Sequence, residues 1–221
     1  MAVLFRIDND FSTNKAPRIP ICICIENSKY IFSEKINELN SFLSMVTEYI
    51  AENSELKAKV QLAIISYGSK PTVITDFTAV DGTEFKIPER KEDEEPDLYL
   101  ALQKFKELIN ARIKLYRSES ISHYLPQLLI MSSGHSVTDI KGVAAQLTSN
   151  KLSILPFQTT DNPDSVLKDL TVDGFVYTDE TDFVKIFNCL KSGLELLSTS
   201  SASAGKSLKD TAVGLNSIKK G

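Results

Sequence analysis

Pro20-Ile21-Cys22-Ile23-Cys24-Ile25-Glu26-Asn27-Ser28-Lys29-Tyr30 runs through five apolar residues without a break, stops on an acidic side chain and turns through Asn and Ser. A short continuous apolar run closed by turn residues fits a strand buried on both faces, as in a parallel sheet. From Ile31 a helical pattern takes over. Ile31, Phe32, Ile36, Leu39, Phe42, Leu43, Val46 and Ile50 recur at spacings that place them on one stripe, with the charged residues off it. The stretch therefore predicts a buried strand, a tight loop and a helix, with polar side chains held at the strand's C-terminal end. In open α/β sheets, ligands bind outside the carboxyl ends of the strands.

The same alternation continues down the chain. Residues 59–67 (Val60-Gln61-Leu62-Ala63-Ile64-Ile65) read as a second strand, and Gly68-Ser69 as a turn into a third at 72–77. So short a connection requires an antiparallel pair. In the third strand, Val73, Thr75 and Phe77 alternate with Thr72, Ile74 and Asp76, as on an edge strand with one wet face. The charged run 89–97 leads into a helix from Pro96 or Asp97 to Tyr116, with Pro96 suited to a first turn. Strands follow at 126–131, 152–157 and 174–177, with helical segments at 139–150, 164–170 and 179–197. Strands alternating with helices predict a three-layer α-β-α domain with a doubly wound, mostly parallel sheet and one antiparallel edge strand. The expected division is an arm at 1–18, which holds a candidate short strand over Val3–Ile7, the domain at 19–197, and a Ser-rich flexible tail at 198–221. Leu208, Ala212, Leu215 and Ile218 in that tail have the spacing of a short amphipathic helix.

Length and composition narrow the function. The 221 residues suffice for one α/β domain with a full core. A net charge of −4 lacks the basic stripe of a dedicated nucleic-acid binder. No apolar segment approaches the roughly 20 residues that span a bilayer, and the first nine residues have neither the basic start nor the apolar length of a signal peptide. Cys22 and Cys24 share a face of a core strand, so they read as buried small hydrophobes with reduced thiols. The expectation is a cytoplasmic protein that binds neither nucleic acid nor membrane.

Three segments resemble the von Willebrand factor A domain. The family's D-x-S-x-S loop corresponds to Glu26-Asn27-Ser28-Lys29-Tyr30. Its second strand and edge hairpin correspond to Ile65-Ser66-Tyr67-Gly68 through Pro71 to Thr78, and its T-D-G strand end to Ser132-Ser133-Gly134. The likeness covers about Pro17 to Leu197. In style the chain is similar to small bacterial members of the tellurite-resistance Y type, which would suggest a stress-response setting. The family's Mg²⁺ or Mn²⁺ site draws on the Asp and two Ser of the first loop, a Thr before the next helix and the Asp of T-D-G. Here the first Asp is Glu26 and the second Ser is Tyr30. The Thr falls at Pro96 or Asp97, the second Asp is Ser133, and only Ser28 is kept. The resemblance thus implies an interaction module with a degraded metal site. The alternative is a metal-dependent adhesion-type switch with Glu26, Ser28, Asp97 and Ser133 as ligands.

The expected contact residues are Glu26, Asn27, Ser28, Tyr30, Asp97, Ser133, Gly134 and His135, all at predicted strand ends or the loops that follow them. The run 89–97 holds six acidic and two basic residues, so an acidic rim there would favour a protein partner with a basic surface. Ser133 and His135 raise a hydrolase as a third reading, but no nucleophile-elbow motif surrounds them, and the expectation is no enzyme activity. Gly205-Lys206-Ser207 has the end of a P-loop, yet position 200 is Ser rather than Gly and no strand precedes it.

Overall fold

A computed structural model describes residues 10–149, 151–171, 175–177, 183–212 and 217–219. Strand β1 (Ile19–Glu26) lies inside the sheet, flanked by β2 (Val60–Tyr67) and β4 (Gln127–Ser132). Outside β2 lies β3 (Pro71–Ala79); beyond β4 come β5 (Ser153–Gln158), β6 (Phe175–Tyr177) and β7 (Ser217–Lys219). The sheet order is β3-β2-β1-β4-β5-β6-β7. Every pairing from β2 across to β6 is parallel, and β3 and β7 join antiparallel. The predicted antiparallel edge at β3 is present. The second, at β7, was not foreseen, because three residues near the chain end carry too short a pattern to read. Val3–Ile7 lies outside the described residues.

The alternation within β1 sorts the two faces. Ile19, Ile21, Ile23 and Ile25 pack with α2 (Ser33–Glu52) and α6 (Phe183–Thr199). Cys22 and Cys24 face α4 (Leu98–Ser118) and α5 (Lys141–Ser149), against Ala101, Leu102 and Phe105 of α4. Both thiols are fully buried, and that burial pushes their pKa values up before any charge effect is added. The reading of these cysteines as core residues holds, and protonated buried thiols are poor nucleophiles.

Several local expectations change. A short α3 (Ser54–Lys59), capped by the Asn53 side chain, precedes β2 in a stretch for which no element was expected. Six residues are too few to show a helical period. The clean alternation expected of β3 is broken by register shifts against Leu62 and Ile64, so Phe77 is buried while Val73 is exposed. The arm expected before β1 contains α1 (Asp10–Thr13) and a fully buried Arg18, which donates to the Asn14 carbonyl at 2.7 Å. The tail read as flexible instead folds back in part. Leu208 and Ala212 join the core under α6, and a 3-10 turn at Leu208–Thr211 replaces the suggested helix. Gly193 on α6 allows this, since a Cβ there would stand 2.7 Å from the Leu208 side chain. The Ser, Ala and Gly around Leu208 hid one well-placed apolar anchor.

Candidate functional site

The chain leaves β1 toward β2 on one side and later returns through β4 on the other, so the sheet's topological switch lies between β1 and β4. Register brings Ile25 opposite Met131. Glu26 and Ser132, the last residues of the two strands, therefore end side by side.

Glu26 is the centre of the group that forms there. The Ser28 hydroxyl donates to its Oε1 at 2.5 Å and the Ser132 hydroxyl to its Oε2 at 2.8 Å. The Ser133 backbone N–H donates to Oε2 at 2.7 Å, and the Ser133 hydroxyl lies 2.8 and 2.9 Å from the two oxygens. Glu26, Ser28, Ser132 and Ser133 are each 0% exposed. Tyr67, paired with Glu26 across β1 and β2, buries its hydroxyl beside them without an aligned partner. Burial, then the charge of Glu26, raises its pKa well above the usual phenol range.

A second layer covers this cluster. The Tyr30 and His135 rings stack face to face, with centroids 4.0 Å apart and planes within 3°. His135 Nδ1 is 3.3 Å from the Ser133 hydroxyl and 3.4 Å from Asn162 Nδ2. Gly134 has φ +81°, and a Cβ there would stand 2.1 Å from Ser165 Oγ, so the backbone passes where only glycine fits. The Lys29 ammonium lies 5.2 Å from the Tyr30 ring centre and pairs with Glu95.

The acidic run is tied to the first loop by backbone bonds. Lys29 N–H donates to the Glu94 carbonyl, Lys91 N–H to the Asn27 carbonyl, and the Arg90 guanidinium to the Lys29 carbonyl. Asn27 is buried and donates to the Glu89 carbonyl at 3.3 Å, so it holds the loop and does not face solvent. The hydrogen bond from Lys29 lowers the Glu95 pKa and raises that of Lys29. Burial works to raise the Glu94 pKa, but hydrogen bonds from Ser69 and Lys91 outweigh it and the net shift is down.

Of the four residues named as an alternative ligand set, Glu26, Ser28 and Ser133 come together. Asp97 does not join their hydrogen bonds. It caps α4 by accepting from Leu100 N–H at 3.1 Å, and its other oxygen accepts from the Thr138 hydroxyl at 2.8 Å. A carboxylate before a helix can serve as cap or ligand, and sequence does not separate the two. Sequence reading missed Ser132, Tyr67, Asn162 and Thr138. A tyrosine ending a buried strand beside an acidic strand end was the one available signal, for Tyr67.

For nucleophilic chemistry the order of groups is unsuitable. The Ser133 hydroxyl stands between Glu26 and His135, with no exposed surface, whereas an activated serine needs the imidazole between hydroxyl and carboxylate and an open approach. Among the described residues, no group of three or more His, Cys, Asp or Glu side chains is placed to hold a metal ion.

The three-layer arrangement, with its switch point between β1 and β4, is the von Willebrand factor A fold. No protein-family model matches the chain, and no curated protein matches it in sequence. Solved structures do match. Proximal thread matrix protein 1 from the mussel byssus superposes with a TM-score of 0.60 at 10% identity over 82% of this chain and 49% of that one. BatB from Bacteroides thetaiotaomicron gives 0.59 at 7% identity over 82% of this chain and 100% of that one. A von Willebrand factor type A protein from Catenulispora acidiphila gives 0.56 at 8% identity over 81% and 43%. The chain thus spans about half the length of the mussel protein. At these identities the likeness establishes the fold alone.

Proposed function

We propose that this chain is a non-enzymatic interaction module, which binds another protein through the loops at the C-terminal ends of its strands and needs no divalent cation to do so. The observation that carries this reading is the saturation of Glu26. Its two oxygens already take hydroxyl protons from Ser28, Ser132 and Ser133 and the N–H of Ser133. Mg²⁺ requires near-octahedral oxygen ligands with free lone pairs. Here only one carboxylate lies in the cluster, both its oxygens are already occupied by hydrogen-bond donors, and Asp97 is committed to its helix cap. These residues do not fit a divalent cation, and we read the site as a degraded relative of the family's adhesion site. The mussel protein, in a form with a TM-score of 0.50 and 15% identity, is described with a zinc-occupied MIDAS motif.

What remains at this end of the sheet suits direct protein contact. Phe32 is 65% and Val137 61% exposed, on the loops that follow β1 and β4. Tyr30 and His135 form a flat stacked pair between the buried cluster and solvent, and Glu92, Asp93 and Glu95 belong to the adjoining acidic segment. Apolar anchors beside negative charge favour a partner with a basic, partly apolar surface. A cytoplasmic setting rests on cysteines that serve the core as free thiols and form no disulfide framework, and a stress-response role follows only from the family likeness in style.

The test is recovery of a partner from lysate by the tagged chain, run in parallel with Mg²⁺ or Mn²⁺ and with EDTA. Equal recovery, reduced by Tyr30→Ala in a protein that melts like the parent, is the expected result. Recovery only with metal would overturn the metal-free reading. An undiminished Tyr30→Ala complex would remove this face as the contact.

A further inference from the structure

At the opposite end of the strands from Glu26 a cleft of about 930 Å³ opens between α4, α5, the segment 123–126 before β4 and the segment near residues 202–205. That volume lies within the range of small-molecule sites, roughly 300–1,000 Å³. Its apolar lining includes Ile109 and Ile113 of α4, Leu147 of α5, Tyr124 and Leu125 before β4, and Leu152 just before β5. Ile109 and Leu147 are buried, while Ile113 and Leu152 are half-buried.

The charge of the cleft runs against that of the molecule. The chain carries four more acidic than basic residues, yet the lining contains Lys106, Arg117 and Lys151 and no Asp or Glu. Helix α4 leads into β4 and α5 into β5, and because β4 and β5 are parallel neighbours the two helices end on the same side. Arg117, at the end of α4, and Lys151, just before β5, therefore stand at the same edge. Both are exposed, and neither has an ion-pair partner among the described residues. Lys106 lies eleven residues back along α4, roughly 16 Å at the helical rise, and its ammonium is held by the Gln146 side chain of α5. The cleft thus has an apolar wall, a cross-bridge at one end and two unpaired cations at the other.

We propose that this cleft binds a single-chain amphiphilic anion, its apolar body along Ile109, Ile113, Leu147 and Leu152 and its carboxylate or phosphate head between Arg117 and Lys151. Guanidinium and ammonium groups recognise either head, the former bidentately. The binding would be independent of the Glu26 end of the sheet and of the function proposed for it.

Calorimetric titration of the full chain with dodecanoate and with dodecyl phosphate, each below its micelle concentration, tests the proposal. Saturable one-site binding of either anion is expected, at least tenfold weaker in the Arg117→Glu/Lys151→Glu variant and at least tenfold weaker for methyl dodecanoate. Ile113→Glu, at a half-buried position, should abolish binding without shifting the melting midpoint by more than a few degrees. If neither anion saturates the chain, if ester and acid bind alike, or if the charge-reversed variant binds as the parent does, the proposal is wrong. Sedimentation with phosphatidylserine vesicles in the absence of dodecanoate binding would assign the cations to a membrane surface and would overturn it as well.

Discussion

Placing a second carboxylate beside Glu26 tests the closed, metal-free reading of the strand-end cluster most directly. In Ser133→Asp, the new group would occupy the space of a hydroxyl now 2.8 and 2.9 Å from the Glu26 oxygens. Two charges about 4 Å apart repel by about 4 kcal/mol at an effective dielectric of 20. For a domain of this size, each kcal/mol moves the melting midpoint by about 2–4 °C, so a loss of about 8–16 °C is expected in EDTA at neutral pH. The variant recreates the paired carboxylates that suit a hard cation. Mg²⁺ or Mn²⁺ at a hundredfold over its dissociation constant would return about 2.7 kcal/mol. Acidification should also reduce the deficit, because the pair can share one proton. Thermal melts followed by circular dichroism, with parent and variant each in metal and in EDTA, give all four values. A parent protein that itself gains stability from the metal would show that the serine hydroxyls yield Glu26 to a cation. A variant as stable as the parent in EDTA would show that Glu26 is not the closed, charged centre described.

Three further outcomes can be measured on the same footing. Gly134→Ala should cost at least about 2 kcal/mol in urea unfolding, from a left-handed backbone and a Cβ driven into Ser165; a neutral substitution would mean the loop after β4 can relax. Leu208→Ala should cost about 2–5 kcal/mol if the tail is part of the core, and a loss within error would return residues beyond 198 to the status of a free tail. Alkaline pH should destabilise the protein through its buried thiols. Cys22 and Cys24 have folded pKa values raised by burial, so stability is complete below the unfolded value of about 8.5 and falls as pH rises above it, by about 1.4 kcal/mol per pH unit for each thiol. Unfolding of Cys22→Ala/Cys24→Ala across that range should be flatter than the parent's, and parallel curves would count against the assignment.

The layers were legible because their signals are long. Six apolar positions on α2, or an unbroken Ile-Cys alternation on β1, leave few other solutions, and the strand ends then fix where polar loops must gather; Ile31 and Phe32, read into the same stripe, precede the helix, and Phe32 is exposed. Glu26, Ser28 and Ser133 could be expected at one place for that reason alone. Their roles could not, since whether a serine hydroxyl reaches the Glu26 carboxylate depends on side-chain torsions that spacing does not specify. Asp97 shows the same limit, being a helix cap by position and a ligand by analogy. The stacking of Tyr30 on His135 joins residues from two loops whose paths no periodicity specifies. The β7 strand and Leu208 escaped notice because composition averaged over a Ser-rich tail conceals single anchors.

The separation of the two halves of the Glu26 cluster in the chain has a consequence for synthesis. Glu26 and Ser132 are 106 residues apart, and at ribosomal rates of about 5–20 residues per second the gap between them takes on the order of 5–20 s to make. During that interval β1 can pair with β2, while the edge that will receive β4 stays open along a run of isoleucines and cysteines. Glu26, which must remain hydrated until its serines arrive, closes one end of that edge and makes it a poorer template for another chain. The acid that gathers the finished loops is, earlier in the molecule's life, a guard against aggregation of the nascent half-sheet.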